Sequence, residues 1–177
     1  MELILVRHGL PLRREVVEGP ADPELSPEGV DQAARLANYL ATEKIAAIYS
    51  SPMKRAVQTA EPLAQTTGLP ISIVDEVAEY DRLSSEYIPI EELRPANDER
   101  WQKLLVGEWQ SDSDTLESFR NRVISSLEQL IRQHASQRIV VTCHGGVINQ
   151  YLAHILGIST ERGFFYPQYT SIHRVVA

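Results

Sequence analysis

Cysteine is almost missing. Cys143 stands alone in 177 residues, so the chain can form no internal disulfide and no cysteine-rich metal site. A basic surplus is missing too: 17 Lys+Arg stand against 24 Asp+Glu, a formal net charge of −7, which argues against general nucleic-acid binding. No apolar run approaches the ~18 residues needed to span a bilayer, so no membrane partner is expected. Met1-Glu2 leads straight into Leu3-Ile4-Leu5-Val6 without a basic segment or cleavage site, so no signal peptide is expected. No internal repeat, low-complexity tract or Gly/Ser linker divides the sequence. What is present is ordinary globular material, 43% hydrophobic and 23% charged. A chain of this length buries about 70% of its unfolded surface and needs no disulfide or metal staple. The expectation is one cytoplasmic domain over residues 1–177.

Strand and helix signals alternate along it. Leu3–Val6 is a short apolar run ended by Arg7-His8-Gly9, which suits a strand buried on both faces. Ser26-Pro27 opens a helix, with Ser as N-cap and Pro at the first helical position. Val30, Ala33, Ala34, Ala37 and Leu40 then recur at helical spacing. Ile45–Tyr49 is a second strand. Ser51-Pro52 repeats the start signal for a helix ending at Gly68, and Ile71–Val74 is a third strand. Residues 75–108 hold Pro89, Pro95 and many charges, and predict broken helix and loop. Glu117–Gln133 is helical by pattern, with Phe119, Val123, Leu127, Leu130 and Ile131 on one face. Arg138–Thr142 is a strand, His144-Gly145-Gly146 turns into a helix ending near Gly157, and Ser171–Val176 is the last strand. This alternation implies an α/β three-layer sandwich: a largely parallel central sheet with helices on both faces.

In such folds ligands sit outside the carboxyl ends of the strands, and the reactive residues fall there. Arg7 and His8 follow the first strand, and Arg55 lies in the first helical turn after the second. Glu79 comes shortly after the third, and His144 ends the fourth. A lone histidine after a strand is more often structural than catalytic. His134, His154 and His173 take that reading, His134 sitting late in a helix where a cation favours the dipole. His8 and His144 differ because both end strands and both lead into glycine. Other machinery fails on spacing. There is no G-x-x-x-x-G-K-[ST] loop and no G-x-S-x-G elbow. Cys143 lacks the arginine six residues on that a cysteine phosphatase loop requires, having Asn149 there. No zinc-type ligand cluster is present, so no metal and no cofactor are expected.

Three ordered segments carry a resemblance: Leu5-Val6-Arg7-His8-Gly9; Leu25-Ser26-Pro27-Glu28-Gly29 with Gln32-Ala33; and Ser51-Pro52-Met53-Lys54-Arg55-Ala56-Val57-Gln58-Thr59-Ala60. Glu79, then Glu117-Ser118 with Arg122, then Val141-Thr142-Cys143-His144-Gly145-Gly146-Val147-Ile148 continue it in order. The sequence resembles the histidine phosphatase superfamily, the phosphoglycerate-mutase-like group, over nearly its whole length. The resemblance implies that His8 is the nucleophile that becomes phosphohistidine. It implies that Arg7, Arg55 and His144 hold the phosphoryl oxygens, and that Glu79 protonates the leaving group and then activates water. Asp81 is the alternative proton donor, because Asp75-Glu76-Val77-Ala78-Glu79-Tyr80-Asp81 offers four carboxylates and lacks the glycine-containing stretch that usually follows.

The chemistry of the side chains is consistent with that division. Neutral imidazole, with a reference pKa of about 6.5, is nucleophilic near neutrality. Guanidiniums present fork-shaped donors to phosphate oxygens. Each unit-charge contact is on the order of 4 kcal/mol at ~4 Å and an effective dielectric of ~20, before desolvation. Two arginines can therefore supply what a metal ion supplies elsewhere. Leu10-Pro11-Leu12-Arg13-Arg14 departs from the family, where many members carry Glu or Gln, Thr and a later Asn. With the short chain, this argues against a glycolytic mutase. Arg13 and Arg14 are candidates for the mouth, Trp101 and Trp109 for a lid or for helix packing, and Ser171 for a rim contact. The expected activity is metal-independent hydrolysis of small phosphomonoesters through a phosphohistidine. The alternatives are phosphoglycerate-mutase-type transfer, a protein phosphohistidine phosphatase, and a non-catalytic phospho-ligand module.

Overall fold

The computed structural model describes residues 1–89, 115–158 and 164–177, with positions 92, 99 and 102. The first strand, β1 (Glu2–Arg7), places Leu3 and Leu5 on one face and Ile4 and Val6 on the other, all fully buried. Burying four such side chains contributes about 6–12 kcal/mol at roughly 1.5–3 kcal/mol each. That offsets ending the strand in a buried Arg7, since desolvating an ion costs several kcal/mol. Leu3 and Leu5 join a core with Phe119, Val123 and Leu127, and Ile4 and Val6 one with Leu36, Leu40 and Leu63. A strand with two apolar faces thus lies between two helical layers.

The elements follow in order: β2 (Arg14–Glu15), α1 (Pro27–Leu40), β3 (Ala47–Ser50), α2 (Lys54–Thr67), β4 (Ile71–Ile73), a 3-10 turn (Asp75–Val77), β5 (Glu86–Tyr87), α3 (Leu116–Gln133), β6 (Arg138–Cys143), α4 (Gly145–Ile155) and β7 (Ile172–Val176). Five strands form the main sheet in the order β4-β3-β6-β1-β7, parallel except for β7. Helices α1 and α2 cover one face, and α3 and α4 the other. This is the expected three-layer sandwich. Among the described residues no helix is long and apolar enough to cross a membrane.

Several local expectations need correction. Arg7 is the last residue of β1 rather than the first beyond it, and β6 runs to Cys143, leaving His144 as the N-cap of α4. Val30 is 53% exposed and Ala34 is exposed as well; Gly29 and Leu36 complete the buried stripe instead. Ser26 caps α1, accepting the Gly29 N–H, but Ser51-Pro52 does not start α2. That helix begins at Lys54 after Met53, which has no side-chain cap. Trp101 and Trp109 lie outside the described residues.

The loop after β1 is fastened from two helices. Ser26 N–H and Oγ both donate to the Leu10 carbonyl, Gln32 Oε1 accepts the Leu10 N–H at 2.8 Å, and Thr59 Oγ1 accepts the Gly9 N–H at 2.9 Å. A Cβ on Gly9 would stand 2.7 Å from the Gly29 carbonyl oxygen, and one on Gly29 would stand 2.1 Å from that of Leu10. The two glycines let main chain meet main chain, which fixes His8 against the start of α1.

Candidate active site

Four side chains from three elements converge at the carboxyl edge of the sheet. His8 and Arg7 come from the end of β1, Arg55 from the first turn of α2, and His144 from the junction of β6 and α4. All are nearly inaccessible: Arg7 6%, His8 3%, Arg55 0% and His144 0% exposed. His8 Nδ1 lies 2.8 Å from the Gly9 carbonyl oxygen. A carbonyl can only accept, so Nδ1 carries the proton and Nε2 holds the lone pair. Arg55 Nε donates to that Nε2 at 3.3 Å. The His8 and His144 ring centroids are 5.1 Å apart, and His144 Nε2 shares a hydrogen bond with Ser51 Oγ at 2.8 Å. Ser51 therefore serves the site rather than a helix start.

Burial first, and charge second, set the protonation. Burial, then the Arg55 and Arg7 guanidiniums, push His8 well below the usual imidazole range. Burial first, then Arg55, His8 and Arg7, do the same to His144. Both are neutral at pH 7. Cys143 is buried and its thiol is pushed up, chiefly by burial, so it is no nucleophile.

Glu79 is half-buried and is tied to the first turn of α4, next to His144 in the chain. Its Oε1 accepts the Tyr80 N–H and its Oε2 the Gly146 N–H, each at 2.9 Å. Burial and the Asp81 carboxylate raise its pKa, against the pull of those N–H groups and Arg55. Burial raises Asp81 too, and its Oδ1 has no hydrogen-bond partner among the described residues. Among the described residues there is no group of three or more His, Cys, Asp or Glu that could hold a metal ion.

Aromatic rings cover the guanidiniums. Tyr169 lies 4.0 Å and Tyr166 5.0 Å from Arg7, and Tyr87 on β5 lies 4.5 Å from Arg55. The sequence gives no local sign of these tyrosines, since no motif surrounds them. Arg14 pairs with Tyr87 across the β2–β5 ladder, while Arg13 donates to exposed Glu15 at 2.6 Å. The Ser171 carbonyl accepts the Arg7 N–H at 3.2 Å, a main-chain contact at the rim. His134 hydrogen bonds Tyr49 and Gln137, and His173 hydrogen bonds Ser171, as structural histidines do.

A neutral imidazole whose Nε2 lone pair is directed to Arg55, a second guanidinium and a second histidine can receive a phosphoryl group, with carboxyls at hand to move protons. The class this defines is a phosphatase acting on phosphomonoesters. The chain belongs to the histidine phosphatase superfamily (branch 1), whose sequence profile matches residues 3–176. It is 32% identical over 170 residues to phosphoserine phosphatase 1 of Hydrogenobacter thermophilus, covering 92% of this chain and 79% of that protein. It is 30% identical over 155 residues to phosphoglycerate mutase-like protein 4 of Arabidopsis thaliana, covering 83% of this chain and 67% of that one. A solved structure of phosphoserine phosphatase from Entamoeba histolytica, in complex with 3-phosphoglyceric acid, is 26% identical with a TM-score of 0.72. The match covers 99% of this chain and 90% of that one.

Proposed function

We propose that residues 1–177 act as one cytoplasmic domain that hydrolyses small phosphomonoesters without metal, through a phosphohistidine on His8. The observation that carries this reading is the tautomer of His8, with Nδ1–H tied to the Gly9 carbonyl and Nε2 directed to Arg55. In the first half-reaction Nε2 attacks phosphorus, the bond from phosphorus to the ester oxygen breaks, and Glu79 gives its proton to the departing alkoxide. In the second, Glu79 as carboxylate takes a proton from water, the oxygen attacks phosphorus, and the nitrogen–phosphorus bond breaks. Phosphate leaves and neutral His8 returns. Arg7, Arg55 and His144 hold the phosphoryl oxygens, whose charge is what catalysis must stabilise. The names of the relatives favour small phosphorylated acids such as phosphoserine as substrates.

Rapid quench of wild type with radiolabelled phosphoester tests this. The expected result is an acid-labile, base-stable phosphoryl group on the protein, absent from His8→Ala. Turnover without a trapped intermediate would refute the covalent route.

A further inference from the structure

Glu79 belongs to no helix or strand; it follows the Asp75–Val77 turn by two residues. A carboxyl on such a segment needs outside restraint to hold one orientation. Two groups from distant parts of the chain provide it. From α3, Arg122 Nη1 donates to the carbonyls of Glu76 at 2.5 Å and Ala78 at 2.7 Å, and Nη2 donates to that of Glu79 at 3.3 Å. Its guanidinium rests 4.7 Å from the Phe119 ring centroid, so the clamp is itself packed. From α4, the Gly146 N–H holds Oε2. A Cβ on Gly146 would stand 2.3 Å from Glu79 Oε1, 3.0 Å from Cδ and 3.2 Å from Oε2. The neighbouring glycine makes a useful contrast, because a Cβ on Gly145 would meet only Arg7 Nε, at 3.9 Å. The two successive glycines are not equivalent: the second is the seat of a carboxyl.

We infer that Arg122 and Gly146 are positioning residues for Glu79, Arg122 fixing the main chain that carries it and Gly146 holding its carboxyl. The inference rests on the reading of Glu79 as proton donor. A carboxyl moved by about 1 Å loses alignment with the leaving oxygen, and displacements of that size cost about 10²-fold. Gly146→Ala displaces the carboxyl directly. Arg122→Met frees three carbonyls and lets the segment shift.

The test is a double-mutant cycle on the phosphorylation rate, with O-phosphoserine as alkyl ester and p-nitrophenyl phosphate as aryl ester. Gly146→Ala is expected to slow phosphorylation from the alkyl ester about 10²-fold and Arg122→Met about tenfold. Both should change the aryl ester less than about threefold, because nitrophenolate leaves without a proton. In a Glu79→Gln background each added substitution should cost less than about twofold, since the group being positioned is already gone. If Gly146→Ala does not fold, the Arg122→Met cycle decides alone. Equal losses in both backgrounds, or for both esters, would overturn the inference and leave the role of Glu79 standing. Glu79→Gln phosphorylated by the alkyl ester at the wild-type rate would remove that role, and the inference with it.

Discussion

The two ends of β1 and β6 handle charge in opposite ways. At the amino ends Glu2 sits in register with Arg138, and these join Glu43 and Arg174 in a ring of ion pairs. Every member of that ring meets two partners of opposite sign and stays partly in water. At the carboxyl ends Arg7 and the neighbouring Arg55 are buried, and among the described residues Arg55 Nη1 and His144 Nδ1 make no hydrogen bond. The carboxylate of Asp22 is 3.9 Å from that Arg55 Nη1. Leaving a buried cation undercompensated is costly, and the hydrophobic strand between the two ends bears that cost. Acid–base pairs close the sheet at one end; at the other the buried guanidiniums meet mainly neutral groups, Arg7 the Pro167 carbonyl and Arg55 the His8 ring.

The largest effect expected is at the carboxyl end. His8→Ala should leave below about a hundredth of wild-type turnover of an aryl phosphate, because it removes the proposed carrier of the covalent intermediate. Greater residual activity, measured on protein purified free of contaminating phosphatase, would show that the imidazole serves only to fill the cationic cluster. Glu79→Gln comes next. It should slow alkyl esters by roughly 10²–10⁴, the usual worth of a general acid, and cause phosphoenzyme to accumulate with an aryl ester.

The pH profile separates the two groups. In the proposed mechanism His8 acts when neutral, and its pKa is lowered, so the acid limb is expected below the ordinary imidazole value. As the proposed proton donor Glu79 acts first when protonated, and its pKa is raised, so the alkyl-ester rate is expected to fall as pH rises through a value above the ordinary carboxylate one. Glu79→Gln should erase that alkaline limb and keep the acid one. If Asp81→Asn erases it instead, the proton donor is Asp81.

These two groups also differ in how visible they are in sequence. Arg7-His8-Gly9 and His144-Gly145-Gly146 are continuous with strands, so chain direction alone brings them to one edge. Glu79 is one of four carboxylates in seven residues. What singles it out is the N–H of Gly146, 67 positions away, and no local pattern encodes that pairing. Ser51 misleads for a related reason: Ser-Pro is a sound helix-start signal, yet the hydroxyl is taken by His144 across the sheet. The fold was more legible than the site, because alternation of apolar runs is local and the contacts that arm a carboxyl are not.

Removing metal should do little. Exhaustive chelation is expected to leave the rate within about twofold, since in the proposed mechanism the Arg7 and Arg55 guanidiniums supply the charge stabilisation a metal would. Loss of activity on chelation, restored by Mg²⁺, Mn²⁺ or Zn²⁺, would mean that the cationic cluster is not sufficient.

The smallest effect on rate is expected at the amino end. Arg174 hydrogen bonds both Glu2 and Glu43, and those bonds are the largest cause holding each glutamate below its ordinary pKa. A pKa lowered in the folded state means stabilisation that is complete above the ordinary glutamate value and is lost as pH falls through the folded one. All four side chains are partly exposed, so water and salt screen the ring. Arg174→Met should therefore cost only about 1 kcal/mol at neutral pH, or about 2–4 °C in Tm for a chain of this size. The gap between wild type and variant should narrow on acidification below the glutamate range, and again in about 1 M salt, where the Debye length is about 3 Å. A gap that persists under both conditions would assign the loss to packing of the arginine stem rather than to charge. The rate on an aryl phosphate should stay within about twofold, because the rigid apolar strand separates the two ends and transmits no net charge. A larger change would couple the ion ring to the phosphate end, and the contrast between a stabilising end and a reactive one would no longer hold.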